Sequence, residues 1–169
     1  ECETELAESI YWATADLLNL EVDLLFFDTT STYFETPTAD QPADGATVGF
    51  RTWGKSKDHR NDLPQIVIGM AVTRTGIPIR VWSWAGNTND QALIREVKDD
   101  LADWRLGHVI WVADRGFSSA ENRRYLQRAG GNYIIGEKIG GNTEAALVLA
   151  RPGRYHEIRH NMRVKEAVS

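Results

Sequence analysis

Two unbroken apolar runs are the strongest structural signal in the sequence, and an aspartate follows each of them. Residues 24–27 precede Asp28, and residues 109–113 precede Asp114. Continuous apolar runs of this length are typical of strands that are buried on both faces in the parallel centre of an α/β sheet. We therefore predict two central strands, each with a carboxylate at the point where its apolar run stops.

An amphipathic helix is predicted ahead of the first strand, over residues 4–19. The apolar positions recur there at helical spacing, in a stripe of the kind that usually faces a core. The stripe consists of Leu6, Ile10, Ala13 and Leu17.

The middle of the chain predicts a long loop and then a hairpin. Residues 35–63 lack periodicity and are rich in Pro, Gly, Asp and Thr, as functional or mobile loops often are. Strand-like patterns at 64–74 and 77–84 flank the turn signal Thr75-Gly76. This arrangement predicts an antiparallel, half-exposed hairpin.

Capping-box patterns predict two more helices. Thr88 with Gln91 precedes an apolar stripe, and Ser118 with Glu121 precedes a helix that should end near Gly130. The stripe of the first helix consists of Leu93, Ile94, Val97, Leu101 and Trp104. A short strand is expected at 133–135, and residues 151–165 are expected to be irregular or β-rich.

The predicted order of elements resembles that of the ribonuclease H-like fold. We expect an α/β domain with a mixed sheet, in which three antiparallel strands are followed by parallel βα units and the first and fourth strands are parallel neighbours. The expected organisation is an N-terminal helix at 1–21 that ends a preceding region, a core at 22–138, and the truncated start of an inserted or C-terminal β-rich segment at 139–169.

Composition narrows the class of protein. A chain of 169 residues with 42% hydrophobic content and six Trp predicts one soluble globular domain. The single cysteine, Cys2, supplies neither a disulfide framework nor a zinc cluster. The absence of a membrane-spanning segment or signal peptide predicts no membrane partner and a cytoplasmic location. The net charge of −5 is unusual for a nucleic-acid binder, although basic residues cluster within 51–60 and 151–165.

Asp28 and Asp114 are the candidate metal ligands. Ligands of open α/β sheets sit outside the carboxyl ends of the strands, and a carboxylate at a strand end often has a cation as its partner. If the two strands are neighbours, the two acids make half of a divalent-metal site. The alternative is that each aspartate caps a turn.

Several segments of the chain match motifs of a known family in the family's own order. The matching segments are residues 28–34, 54–60, 62–65, 86–90, 112–118 and 164–166. On these motifs the chain resembles the catalytic domain of DDE transposases from bacterial insertion sequences. The resemblance covers most of the chain from about residue 22 onward.

The resemblance implies a two-metal phosphoryl-transfer enzyme that cleaves and joins double-stranded DNA at transposon ends and target sites. Asp28 and Asp114 match the first two acids of the family's triad, with two Mg²⁺ or Mn²⁺ ions as cofactors. The implied full-length protein self-associates and lies on the bacterial nucleoid when bound. The family's third acid, a Glu on a later helix, has no clear match, and Glu137, Glu157 and Glu166 are the late candidates. We therefore expect a truncated chain that is inactive alone.

The candidate DNA-binding residues are Lys55, Lys57, Arg60 and Arg115. Three other residues keep two interpretations each. Asp90 is a helix-capping or a catalytic acid, His59 is a DNA contact or a solvated side chain, and Trp53 stacks on a base or anchors a loop.

Two other functions stay open at this stage. One is a non-catalytic transposase remnant that acts as a DNA-binding module. The other is a phosphatase that forms an aspartyl-phosphate at Asp28. Such phosphatases need an acid two residues later, where this chain has Thr30. They also need a helical crossover after the first strand, where the pattern predicts a hairpin.

Overall fold

The computed structural model describes residues 2–18, 22–43, 46–104, 106, 108–137, 139–140 and 144–166. The chain divides into two compact units, Glu1–Ile135 and Gly136–Ser169. No helix in the described ranges is long and apolar enough to cross a bilayer.

The first unit is built on a five-stranded mixed sheet with the order β3-β2-β1-β4-β5. Its strands are β1 (Leu24–Tyr33), β2 (Gln65–Thr73), β3 (Pro78–Ala85), β4 (Ile110–Ala113) and β5 (Asn132–Ile135). The first three strands are antiparallel neighbours, and β1, β4 and β5 run parallel. This topology confirms the predicted ribonuclease H-like arrangement, including the parallel pairing of the first and fourth strands.

Three helices accompany the sheet: α1 (Cys2–Leu18), α2 (Asp90–Asp100) and α3 (Ala120–Gln127). The caps of α2 and α3 were predicted at Thr88 and Ser118, and each prediction is wrong by one position. The side chain of Asn89 accepts from the backbone N–H of Gln91 at 3.1 Å, and that of Ser119 accepts from Asn122 N–H at 3.2 Å. Thr88 and Asn89 are both good cap formers, as are Ser118 and Ser119, so only the backbone turn distinguishes them.

The hydrophobic core lies on one face of the sheet. Leu25 and Phe27 of β1 point into it, and the buried side of α2 covers them with Leu93, Ile94 and Val97. The prediction that the central strands are buried on both faces is wrong, because burial alternates along β1. The opposite side, which we call the open face, consists of Phe26, Ile68, Met70, Val72, Val81 and Val112. Among them, Met70 is 44% exposed and Val81 is 52% exposed.

The predicted apolar stripe of α1 is not the side of the helix that packs against the core. Tyr11 and Ala15 are the buried residues of this helix, and the Tyr11 ring lies 5.6 Å from the ring of Trp104. Leu6 and Ile10 of the predicted stripe are more than half exposed. The sequence therefore identified one apolar side of a helix that has two.

A β-bulge in the hairpin interrupts the predicted alternation. Ala71 pairs with Arg80 while Val72 pairs with Pro78, so Ile79 is the extra residue on β3. A bulge turns the side chains beyond it. As a result Ile79 is buried in the core, whereas Val81, two residues later, belongs to the open face.

Arg80 is a charged residue that is set against the core. Its guanidinium lies 5.5 Å from the ring of Trp82 and 5.4 Å from that of Trp104, and 10% of its side chain is exposed. Its Nη1 approaches Asp100 Oδ2 to 2.8 Å, without hydrogen-bond alignment, while Trp82 Nε1 donates to the same carboxylate oxygen at 2.7 Å. The carboxylate therefore compensates a poorly hydrated cation.

Three contacts help to fix the conformation of the loop between β1 and β2. Arg51 donates to both carboxylate oxygens of Asp40, and its backbone N–H lowers the pKa of that acid. Thr52 forms an isolated bridge with Gln65 at the start of β2. Gly54 and Gly86 approach so closely that a Cβ on Gly54 would lie 1.9 Å from the carbonyl oxygen of Gly86.

The second unit contains a short helix, α4 (Glu144–Ala150), and an antiparallel hairpin of β6 (His156–Arg159) and β7 (Met162–Val164). The hairpin agrees with the β-rich expectation for residues 151–165. The helix was not predicted. Asn161, in the turn, has a φ of 69°, a conformation that Asn tolerates better than most residues.

The first prediction concerns Arg80. Asp100→Asn should lower the free energy of unfolding by about 2 kcal/mol, because the substitution leaves the charge of Arg80 uncompensated. The expected loss is smaller than for a fully buried ion pair, since Asp100 is partly exposed. Urea unfolding followed by tryptophan fluorescence measures the change. The control is Asp103→Asn, at an exposed acid in the 3-10 helix Ala102–Trp104. Equal stability of the two variants would contradict this role.

The second prediction concerns the close approach of the loop to the sheet. A Cβ on Gly86 would lie 2.1 Å from the carbonyl oxygen of Gln65 and 2.4 Å from that of Thr52. Gly86→Ala should therefore displace the loop, cost about 2 kcal/mol and speed tryptic cleavage after Lys55. Thermal unfolding and timed proteolysis measure both effects. Gly140→Ala is the control, because nothing lies within 4 Å of its Cβ position. Identical digestion of the two variants would argue against the contact.

Candidate active site

The pairing of β1 with β4 places the two candidate acids side by side. Phe27 is opposite Ala113 in the parallel register, and Asp28 and Asp114 are the next residue on each strand. Adjacent strands are about 4.8 Å apart, so the two backbones lie close at this point. β4 ends here, whereas β1 continues to Tyr33. Both aspartates are exposed.

A cavity of about 450 Å³ contains both acids. The open face forms most of its wall, so that Asp28 and Asp114 face apolar side chains such as Met70 and Val81. A carboxylate pair beside an apolar surface is less screened than one in bulk water.

Each carboxylate also makes one local hydrogen bond. Asp28 Oδ1 accepts from the Thr29 backbone N–H at 2.7 Å. Asp114 Oδ1 accepts from the Gly116 N–H at 2.6 Å and caps the 3-10 helix Arg115–Phe117. A Cβ on Gly116 would lie 2.8 Å from that same oxygen, so the glycine leaves room for the carboxylate. Turn capping and metal binding are therefore compatible at Asp114, because a carboxylate has a second oxygen.

The donor set fits a hard divalent cation in part. Mg²⁺ in proteins is held by one or two carboxylates and keeps several waters or substrate phosphate oxygens. Asp28 and Asp114 supply such a pair. Within the described ranges, no group of three or more His, Cys, Asp or Glu side chains is arranged to hold a metal. The late candidates Glu137, Glu157 and Glu166 belong to the second unit, and none of them lies in a helix.

Lys57 binds the long loop to β1 beside Asp28. Its ammonium donates to the carbonyl oxygen of Thr29 and, at 3.0 Å, to Thr29 Oγ1. It lies 3.6 Å from Asp90 Oδ2, and its backbone N–H donates to Ser31 Oγ at 2.9 Å. Thr29 is 4% exposed. The lysine that was predicted to contact phosphate therefore already donates two hydrogen bonds to Thr29 and forms an ion pair with Asp90.

The charge of Arg60 is likewise paired with a carboxylate within the loop. Its Nε and Nη2 each donate to a carboxylate oxygen of Asp62 at 2.9 Å, and its guanidinium lies 5.2 Å from the ring of Tyr33. These hydrogen bonds raise the pKa of Arg60 and lower that of Asp62. Lys55 and Arg115 are exposed, and no carboxylate in the described part of the chain pairs with either.

A second cavity, of about 700 Å³, lies between the loop and the start of α2. Thr30 lines both this cavity and the one that holds the acids, so the two cavities adjoin. Its lining contains more polar residues than that of the first cavity, so we call it the polar cavity; they include Asn61, Asn87, Asn89, Gln91, Ser31, Ser56 and Thr88. Sequence reasoning missed this cavity, because nothing except the polar run at 86–90 marks it.

Two of the residues with open interpretations line this polar cavity. Asp90 is not the N-cap of α2, since Asn89 holds that position, and its carboxylate pairs with Lys57. His59 is exposed and has a φ of 60°, an uncommon conformation for a residue with a side chain. Trp53, on the same loop, is 50% exposed. Asp90 is nonetheless the first residue of α2, where an acid is favoured by the helix dipole. His59 and Trp53 are exposed, and a contact of either with DNA stays a prediction.

Comparison with solved structures gives distant similarities. The chain is similar to the piggyBac transposase in a synaptic complex with hairpin DNA, with 16% identity and a TM-score of 0.49 over 82% of this chain and 29% of that one. It is also similar to the Mos1 transposase in a paired-end complex with the left transposon end, with 14% identity and a TM-score of 0.42 over 78% of this chain and 40% of that one. The chain thus spans less than half the length of these proteins.

Comparison with family models gives a direct assignment. No curated protein matches the chain in sequence. The family model described as the transposase DDE domain matches residues 23–167, which is nearly the whole chain. That range includes Asp28 and Asp114, the sheet and the long loop. The chain therefore belongs to the family of transposase DDE domains.

Proposed function

We propose that this domain carries the catalytic site for metal-dependent DNA cleavage and strand transfer at insertion-sequence ends. The observation that carries the proposal is the adjacency of Asp28 and Asp114, next to Phe27 and Ala113 in parallel register, in a chain of this family. The proposed partners are double-stranded transposon-end and target DNA, and a second copy of the full-length protein.

Asp28 and Asp114 are the proposed metal ligands. Two Mg²⁺ or Mn²⁺ ions, when bound, would activate an attacking water or 3′-hydroxyl and stabilise the leaving oxygen. The chain's own contribution is to orient the two carboxylates. The N–H groups of Thr29 and Gly116 each hold an Oδ1, and Lys57 ties Thr29 to the loop, which keeps the segment after Asp28 in place.

A third carboxylate is proposed to complete the site. Two carboxylates alone hold paired Mg²⁺ ions weakly, because the remaining ligands are water. An amphipathic helix that covered the open face would bury Met70 and Val81 and could bring a glutamate to the cavity. The exposure of these apolar side chains beside the acids supports this idea.

The third prediction tests catalysis by Mn²⁺- or Mg²⁺-dependent nicking of labelled end DNA. Residues 1–169 alone should fold without nicking, and a polypeptide extended through the next glutamate-bearing helix should nick. In the longer polypeptide, Asp28→Asn or Asp114→Asn should reduce nicking by about 10³-fold or more while largely sparing DNA binding, because each removes a metal ligand.

Asp103→Asn is the matched control for these variants, since Asp103 is an exposed acid away from the cavity. Full nicking by Asp28→Asn would overturn the assignment of the site. Nicking by residues 1–169 that depends on Asp28 would show that Glu137, Glu157 or Glu166 supplies the third acid. DNA binding without nicking in every polypeptide would favour the alternative of a non-catalytic remnant.

The proposed DNA-contacting residues are Lys55, Lys57, Arg60 and Arg115. The partners of these four cations indicate which of them are available to bind phosphate. Lys55 and Arg115 are exposed without a carboxylate partner in the described ranges, whereas Lys57 pairs with Asp90 and Arg60 with Asp62. A cation that already has an internal partner gains less from a phosphate. We therefore assign most of the phosphate contact to Lys55 and Arg115.

The fourth prediction follows from that ranking. In a DNA-binding polypeptide that contains this domain, Lys55→Ala and Arg115→Ala should each lower the slope of log K against log[salt] by about one, since each removes a phosphate contact. Lys57→Ala should change the slope less and should expose the loop to trypsin. Fluorescence anisotropy over a salt series measures the slopes. A larger slope change for Lys57→Ala than for Lys55→Ala would reverse the ranking.

The phosphatase alternative has no support from the site. β1 is followed by an antiparallel hairpin, and Thr30 stands where an aspartyl-phosphate enzyme needs its second acid. We do not propose this function.

A further inference from the structure

Helix α1 has two apolar sides, and the sheet uses one of them. Tyr11 and Ala15 are buried, at 5% and 6% exposure, and the side chain of Thr4 meets Arg80 Nη2 at 3.3 Å on the same side. This inner side accounts for the attachment of α1 to the core. Leu6, Ile10 and Leu17 are not part of this contact.

The other side carries an exposed apolar stripe. The outer stripe consists of Leu6, Ile10, Ala13 and Leu17, spaced by four, three and four residues. This spacing places the four side chains along one line of the helix. Leu6 is 59% exposed, Ile10 58% and Leu17 83%. Three large aliphatic residues aligned in this way are a helix-docking pattern and not a scatter of single exposed leucines.

The charges beside the outer stripe are all negative. α1 contains Glu3, Glu5, Glu8 and Asp16 and no Lys or Arg. At about 3.6 residues per turn, Glu3 lies on one side of the outer stripe and Glu5 and Asp16 lie on the other. Within the described part of the chain, no ion pair involves an acid of α1. The borders of the outer stripe are therefore acidic and unbalanced.

We propose that the outer stripe docks a basic amphipathic helix of a partner polypeptide. Apolar side chains at helical spacing would cover Leu6, Ile10 and Leu17, and flanking Lys or Arg residues would pair with the acids at the two borders. This is the helix-to-helix form of recognition, in which apolar anchors supply affinity and flanking charges select the partner. A second copy of α1 fits less well, because its acids would face like charges.

The single cysteine provides a labelling site beside the outer stripe. Cys2 is exposed and lies one helical turn before Leu6. A fluorophore attached there reports binding at the outer stripe. The probes are two synthetic helical peptides that share a leucine stripe. One has lysines beside the stripe, and the other has glutamates in the same positions.

The lysine peptide should bind at least about tenfold more tightly than the glutamate peptide at low salt, and the difference should shrink as salt is added. Leu6→Gln with Leu17→Gln should abolish binding of the lysine peptide. Leu147→Gln, at an exposed leucine of α4, should leave it unchanged. Circular dichroism and calorimetry on unlabelled protein verify that the variants fold and that the label does not create the binding.

Three outcomes would overturn the proposal: equal affinity for the two peptides, no binding of either, or binding of the lysine peptide that survives the double substitution in folded protein. Sedimentation of the protein alone adds a fourth. A dimer that Leu6→Gln with Leu17→Gln dissociates would assign the outer stripe to a second copy instead. None of these measurements depends on DNA cleavage, so the result is independent of the proposed catalytic function.

Discussion

The site depends on one constraint, the point at which β4 stops pairing with β1. The parallel ladder runs from Leu24 to Phe27 and then ends, while β1 continues for six more residues against β2. Asp28 and Asp114 are neighbours because both follow this last pair. Beyond that pair the edge of β1 is free of β4, and Lys57 hydrogen-bonds to Thr29 there. The short length of β4 therefore determines both the position of the two acids and the place where the loop attaches to β1.

The one-sided core has a consequence for the surroundings of the acids. Packing α2 and its buried residues against Leu25 and Phe27 leaves the alternate side chains of the same strands on the open face. Since side chains alternate along a strand, apolar residues on both faces cannot be covered by one layer of helices. The acids therefore stand beside exposed hydrophobic side chains of the open face.

Apolar periodicity predicted the order of elements along the chain and the hairpin. The pairing of the two strands that end at Asp28 and Asp114 was expected from the resemblance of that order to the ribonuclease H-like fold. Sequence patterns did not predict the partners of Lys57, since Thr29 and Asp90 are far from it in sequence. Nor could they select between the two sides of α1. Periodicity identifies an apolar stripe, but the side that packs makes its contact with Trp104, a residue far from Tyr11 in sequence.

Local charge, and not the net charge of −5, decides how this domain meets a polyanion. The basic loop is less basic than its composition implies, because Asp40, Asp62 and Asp90 pair with Arg51, Arg60 and Lys57. The acids of α1 have no such partners among the described residues. Few cations of the candidate DNA-binding set are left without a carboxylate partner among the described residues, namely Lys55 and Arg115.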